Sequence, residues 1–145
     1  MNLEEILLIK GGQHTDERGT VSFVNDFDMS PVKRFYIIEH PDTTIARAWQ
    51  AHKEERKWFY LVAGSYKVVL VKPDDWEKPS EKLLTQEFIL KSGINPVLHI
   101  PGGYANGFKA LEAHSKLMVF SDFSIEDAGK DDFRFDKTLW YDWNK

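Results

Sequence analysis

Residues 47–71 read RAWQAHKEERKWFYLVAGSYKVVLV. From Trp58 onward the stretch is rich in Val, Leu, Phe and Tyr, and it breaks once, at Gly64-Ser65. Two strands around a tight turn satisfy that pattern. The alternation of apolar and polar residues is loose, which suits strands covered on both faces inside a sandwich or barrel. The rest of the chain follows suit. Strands are expected at Ile6–Lys10, Thr20–Asn25, Arg34–His40, Thr44–His52, Arg56–Ala63, Ser65–Lys72, Thr85–Leu90, Val97–Ile100, Gly107–Ala110 and Lys116–Ser121. Between them lie GG (11–12), DMSP (28–31), HPD (40–42), KPDD (72–75), KSGINP (91–96) and PGG (101–103), all with the chemistry of turns. No window carries an apolar stripe of helical period. DWEKPSEKLLTQEF (75–88) has room for one helical turn, limited by Pro79. About ten short strands predict an all-β chain, a double-stranded β-helix or jelly roll, with residues 1–145 as one domain. Long edge strands invite pairing between two chains, so a homodimer is expected.

Composition excludes several classes of function. With 42% hydrophobic and 29% charged residues the 145-residue chain reads as globular. A formal net charge of −4 argues against binding nucleic acid or an anionic membrane. There is no cysteine, so disulfides, thiolate metal sites and cysteine nucleophiles are all excluded. MNLEEILLIKGG places two acidic residues before a short apolar run, unlike a secretory signal, and no run approaches the roughly 20 apolar residues of a membrane span. A cytoplasmic location is expected. Aromatic residues reach 14%, with five Trp. They fit either a filled β core or a ring-lined pocket for a sugar or base.

Two motifs carry chemistry. Gln50-Ala51-His52 stands where a His-x-His triplet would, Lys57 lies seven residues before Gly64, and Pro101-Gly102-Gly103-Tyr104-Ala105-Asn106 has the form Pro-x-Gly-x-x-His with Asn last. Together they resemble the paired motifs of the cupin superfamily, whose ligands there are His, His, Glu and His. Three of those four positions are changed here, one of them to a cation that repels a divalent ion. No metal and no other cofactor is expected.

The resemblance narrows further within metal-free cupins. Asp16-Glu17-Arg18-Gly19 resembles the opening shared by dTDP-4-dehydrorhamnose 3,5-epimerases and dTDP-sugar 3,4-ketoisomerases. Val32-Lys33-Arg34-Phe35-Tyr36-Ile37, followed by Arg47 and Ala51-His52-Lys53, is similar to the ketoisomerases. Ile100-Pro101-Gly102-Gly103-Tyr104-Ala105-Asn106-Gly107-Phe108 and the tail Phe135-Asp136-Lys137-Thr138-Leu139-Trp140 are similar to the epimerases. The resemblance implies a nucleotide-sugar isomerase or epimerase in deoxysugar biosynthesis. Its partner would be a small-molecule dTDP-4-keto-6-deoxyhexose. A catalytically inactive sugar-nucleotide-binding cupin is the other reading it leaves open.

Either activity needs a base for a proton alpha to a ketone and a group that stabilises the enolate. The resemblance places the base at Gln50, which does not titrate, and an acidic Tyr near Phe120, which has no hydroxyl. His52 shares a strand face with Gln50 and is expected either to shuttle the proton or to serve as a hydrogen-bonded pocket residue. Tyr36 is expected to donate a proton or hydrogen bond to the sugar, or to be a core tyrosine. Lys57 is read either as a fixed cation for the enolate oxygen or as part of a solvated edge with Lys53 and Arg56. By resemblance Arg18, positioned by Asp16 and reaching from a second subunit, and Arg47 are expected to bind the diphosphate, while Gln50 and Asn106 bind the sugar. Arg47 has the wrong parity to share a face with Gln50 unless a bulge intervenes. His14, His40, His99 and His114 form no cluster by spacing and are expected to be structural.

Overall fold

A computed structural model describes residues 3–145. The strands are β1 (Leu7–Ile9), β2 (Gly12–Asp16), β3 (Gly19–Phe23), β4 (Arg34–His40), β5 (Arg47–His52), β6 (Lys57–Ala63), β7 (Ser65–Val71), β8 (Thr85–Lys91), β9 (Val97–Ile100), β10 (Tyr104–Ala110), β11 (Ser115–Ser121) and β12 (Phe133–Arg134). A single helical turn α1 (Ile125–Ala128) runs into a 3-10 turn at Gly129–Asp131. Two antiparallel five-stranded sheets, ordered β1-β9-β6-β11-β4 and β12-β5-β10-β7-β8, face each other, and the β2–β3 hairpin stands apart from both. This is the expected double-stranded β-helix.

The stretch that suggested the fold does not form the hairpin its sequence suggests. Strand β6 pairs with β9 and β11, whereas β7 pairs with β10 and β8. The chain therefore crosses from one sheet to the other at Gly64. Gly64 sits at φ +78°, and a Cβ there would lie 2.0 Å from Ser115 Oγ, so the corner requires glycine. The crossing sets Phe59 and Leu61 opposite Val68 and Leu70 within one apolar cluster. Two strands without a polar face are better covered that way than side by side. Residues 75–88 form no helix; the helical turn comes later, at Ile125–Ala128. Gly12, read as part of a turn, opens β2, and both β2 and β12 lack a hydrophobic signature.

The apolar residues fall into layers. Phe59, Leu61, Tyr66, Val68, Leu70, Leu98, Phe108 and Leu117 fill the space between the sheets. Trp49, Tyr141 and Trp143, with Trp76, Phe133, Phe135 and Trp140 against them, cover the outside of the second sheet. Trp58 anchors a third cluster on the outside of the first sheet, where His99 stacks on it at 4.8 Å. The aromatic richness is thus mostly cladding. Gly107 makes it possible, since a Cβ there would meet Trp143 Cζ2 at 2.6 Å.

Candidate active site

One end of the barrel interior is not filled. A cavity of about 590 Å³ is lined by Arg34, Tyr36 and Ile38 of β4, residues 46–50 around the start of β5, Lys57 and Phe59 of β6, Asn106 and Phe108 of β10, Val119 of β11, and Arg134 and Phe135. Period-2 alternation explains most of this set. Arg34, Tyr36 and Ile38 share the inner face of β4, just as Lys57 and Phe59 share that of β6.

Arg47 joins them through an irregularity. Asn106 pairs with Gln50 but Phe108 pairs with Arg47, so three residues of β5 span two of β10. This bulge shifts the parity of β5 and brings Arg47 to the same cavity as Gln50. The mismatch read from the sequence is resolved by tertiary pairing.

Lys57 is the most constrained cation. It is 3% exposed and donates from Nζ to Gln50 Oε1 at 2.8 Å. The solvated-edge reading is therefore excluded. Gln50 Nε2 in turn donates to Asp132 Oδ1 at 3.2 Å, and Arg134 grips the same carboxylate at 2.8 and 3.1 Å. The chain of donors fixes the amide, with oxygen toward the lysine and nitrogen toward the carboxylate. Burial pushes the Lys57 ammonium down to about 8, against a smaller opposing pull from Glu55. Burial also raises the Tyr36 phenol, only partly offset by Arg34, whose guanidinium stacks 5.2 Å from the ring centre. Arg134 holds the Asp132 carboxyl below its usual range.

The lining carries four cationic side chains, Arg34, Arg47, Lys57 and Arg134, and among the described residues no carboxylate. Acidic groups stand behind it. Glu55 is 2% exposed, accepts from Ser121 Oγ at 2.7 Å and lies 3.6 Å from Arg34. Glu55 lies on no apolar periodicity that would have marked it.

His52 does not line the cavity. Its Nδ1 donates to the Asp131 carbonyl at 2.6 Å and lies 3.6 Å from Glu55 Oε1, while Nε2 is buried without a partner. Burial first, and then Lys57, lower its pKa. Asp131 ties the loop down, because its carboxylate accepts the backbone N–H groups of Lys53, Glu54 and Glu55 at 2.7–2.8 Å. Phe120, where the resemblance suggested an acid, packs on Phe27 and Phe35 while its neighbour Val119 lines the cavity.

Arg18 and Asp16 lie elsewhere. They sit at the tip of the β2–β3 hairpin, bonded to each other at 2.6 Å, and neither reaches this chain's cavity. Asn106 is buried and does line it. Sequence reasoning missed Arg34 and Arg134 as site residues. Arg34 was legible from its parity with Tyr36. Arg134 was not, since the two-residue β12 owes its place to pairing with β5. A groove of about 640 Å³ runs beneath the C-terminal segment but contains none of the side chains the sequence marked for chemistry.

The metal of other cupins does not fit these residues. Among the described residues no three His, Asp or Glu side chains converge, and the Lys57 amine occupies the oxygen of Gln50.

No family model and no curated protein matches the sequence. Solved structures do match the fold. A dTDP sugar isomerase from Desulfovibrio desulfuricans G20 is 21% identical, with a TM-score of 0.78, covering 97% of this chain and 92% of that one. QdtA, a sugar 3,4-ketoisomerase from Thermoanaerobacterium thermosaccharolyticum solved with TDP, is 21% identical at a TM-score of 0.70, covering 90% and 88%. ChmJ, a 3'-monoepimerase from Streptomyces bikiniensis solved with dTDP-quinovose, is 14% identical at a TM-score of 0.73, covering 91% and 70%. With its two facing five-stranded sheets, the chain has the cupin-type jelly-roll fold of these sugar isomerases and epimerases.

Proposed function

We propose that the protein is a cytoplasmic nucleotide-sugar isomerase that moves a proton between adjacent carbons of a dTDP-linked 4-keto-6-deoxyhexose, as a step in deoxysugar biosynthesis. The observation that carries this reading is the cavity itself, with four cations, one phenol and two amides at the open end of a barrel shared with proteins that bind TDP or dTDP-quinovose. In this reading Arg47, exposed at the mouth, and Arg134 hold the diphosphate, since guanidinium forks match phosphate oxygens. Gln50 and Asn106 bond sugar hydroxyls, and Tyr36 donates to a sugar oxygen because burial keeps its phenol protonated. Loss of the C3 proton drives electrons into a C3–C4 double bond and onto the ketone oxygen. The cationic wall stabilises the enediolate charge. Return of the proton at C4, with the O3 proton passing to O4, gives the 3-ketone.

The hairpin belongs to the same proposal. Every residue of β3 is exposed, Val21 by 62% and Phe23 by 38%, and the hairpin pairs with no other strand. A lone two-stranded hairpin is marginal in water. We assign it to packing on a second copy of the chain, with Arg18 directed at the partner's substrate, which makes the protein a homodimer.

Incubation with dTDP-4-keto-6-deoxyglucose in D2O, followed by proton NMR, tests the activity. A 3-keto product carrying deuterium is expected. A second reading rests on Gln50 and Asn106, two amides that cannot move protons in the place of groups that can. Tight binding by calorimetry with no deuterium incorporated would favour that binding-only cupin.

A further inference from the structure

We propose that Lys57 is the group that takes the proton from the sugar carbon and returns it, with Gln50 holding its amine in place. This role rests on the isomerase reading and adds the identity of the base. Gln50 and Asn106 do not titrate, and Arg34, Arg47 and Arg134 present guanidinium donors with no acceptor site to serve as a base. Tyr36 is pushed away from ionising by burial. His52 lies outside the lining, its Nδ1–H committed to a backbone carbonyl. Among the described residues Lys57 alone borders the cavity with an amine that burial brings down to about 8.

The geometry suits a base as well as a cation. Gln50 Oε1 accepts one N–H at 2.8 Å, and Gln50 is itself anchored by Asp132, so Nζ has a fixed position at the cavity wall. In the neutral amine this leaves a lone pair free for carbon acid chemistry. The charged groups facing Lys57 are Glu55 from the β5–β6 loop, Arg34 from β4, and Asp132 and Arg134 from the C-terminal segment, and the imidazole of His52 on β5 also feels its charge. Two carboxylates and two guanidiniums offset one another, and burial decides the outcome.

The step balances without any co-reactant. Neutral Nζ forms a bond to the C3 proton, the C–H pair becomes the C3–C4 π bond, and the carbonyl pair moves to O4. The O3 proton then passes to O4, the O3–H pair forms the C3 carbonyl, and the π pair takes a proton from the ammonium at C4. Gln50 is a positioning residue in this scheme, and it stands where an imidazole would otherwise serve.

Deuterium exchange into TDP-4-keto-6-deoxyglucose, followed by NMR, tests the role. In wild-type protein the rate should rise with pH and level off above about 8. Lys57→Met should lose about a thousandfold in rate, with TDP affinity by calorimetry unchanged within twofold. Ethylamine added to the Lys57→Met protein should restore part of the rate. Lys57→Arg separates base from charge, since arginine stays protonated, and it should be as slow as Lys57→Met. Exchange by Lys57→Met above a tenth of the wild-type rate, or by Lys57→Arg near it, overturns the proposal and leaves the isomerase reading standing. No exchange by wild type overturns both.

Discussion

Lys57 and Arg18 each bond a polar side chain close in sequence, yet everything around the two pairs differs. Lys57 is buried, and its partner Gln50 lies on a strand of the opposite sheet, so the bond exists only when the barrel closes. Arg18 is 83% exposed and bonds Asp16 two residues away, across a turn that needs no other part of the chain. Removing water makes the first pair's surroundings decide its chemistry and lowers its pKa to about 8. The second keeps its charge in contact with solvent. The cavity is therefore built by long-range packing, whereas the Arg18–Asp16 pair is built by one local turn.

The sharpest way to break this contrast is to cut under the cavity. Phe59, fully buried beside Lys57, packs edge-on against Phe108 at 5.6 Å. Phe59→Ala should cost about 3–5 kcal/mol in urea unfolding, whereas Val21→Ala in the hairpin should fall within about 0.5 kcal/mol for the isolated chain. Equal losses at the two sites would mean that the hairpin is part of the core.

Arg47→Ala should come next, raising the KM for the nucleotide sugar about tenfold while leaving the protein as stable as wild type, because the guanidinium is exposed at the mouth. A fall in kcat with unchanged KM would move Arg47 from the diphosphate to the reacting carbons.

Stability against pH sharpens the comparison further. The folded state holds Lys57 near 8 against 10.5 for the free side chain. Between those values the unfolded chain binds more protons, so stability gains with pH across that window and the desolvation penalty is fully present below it. Wild type should therefore gain on Lys57→Met by about 2 kcal/mol between pH 7.5 and 9.5, read from urea midpoints at both pH values. A pH-independent gap would mean that the amine is solvated.

The smallest effect belongs to the hairpin tip. Arg18→Ala should leave the urea midpoint unmoved and weaken TDP binding several-fold, with the dimer intact in sedimentation. An unchanged TDP affinity would remove Arg18 from the site.

Much of the architecture was legible in the sequence, for a simple reason. Val, Ile, Phe and Tyr runs punctuated by Gly and Pro have few ways to bury themselves, and all ten expected strands overlap observed ones. Tyr36, Gln50, Asn106 and Lys57 were marked one by one, by the paired motifs and the resemblance, and the structure brings all four to one cavity, whereas His52, expected on the face of Gln50, does not line it. The Gly64 corner was not, since a tight hairpin and a crossing between sheets use the same turn residue. Arg134 was not either, because a two-residue strand carries no periodic signal and depends on its partner β5.

The sequence by itself determined that this chain is all-β, that its second motif ends in Asn106, and that Gln50 cannot take a proton. Only the tertiary structure decided which side chains meet. It took a bulge in β5 to turn Arg47 inward, a backbone carbonyl to hold His52 out of the lining, and closure of the barrel to bury Lys57 against Gln50. Burial and distance are properties of the packed chain, and a lysine becomes a base only after water has been removed from around it.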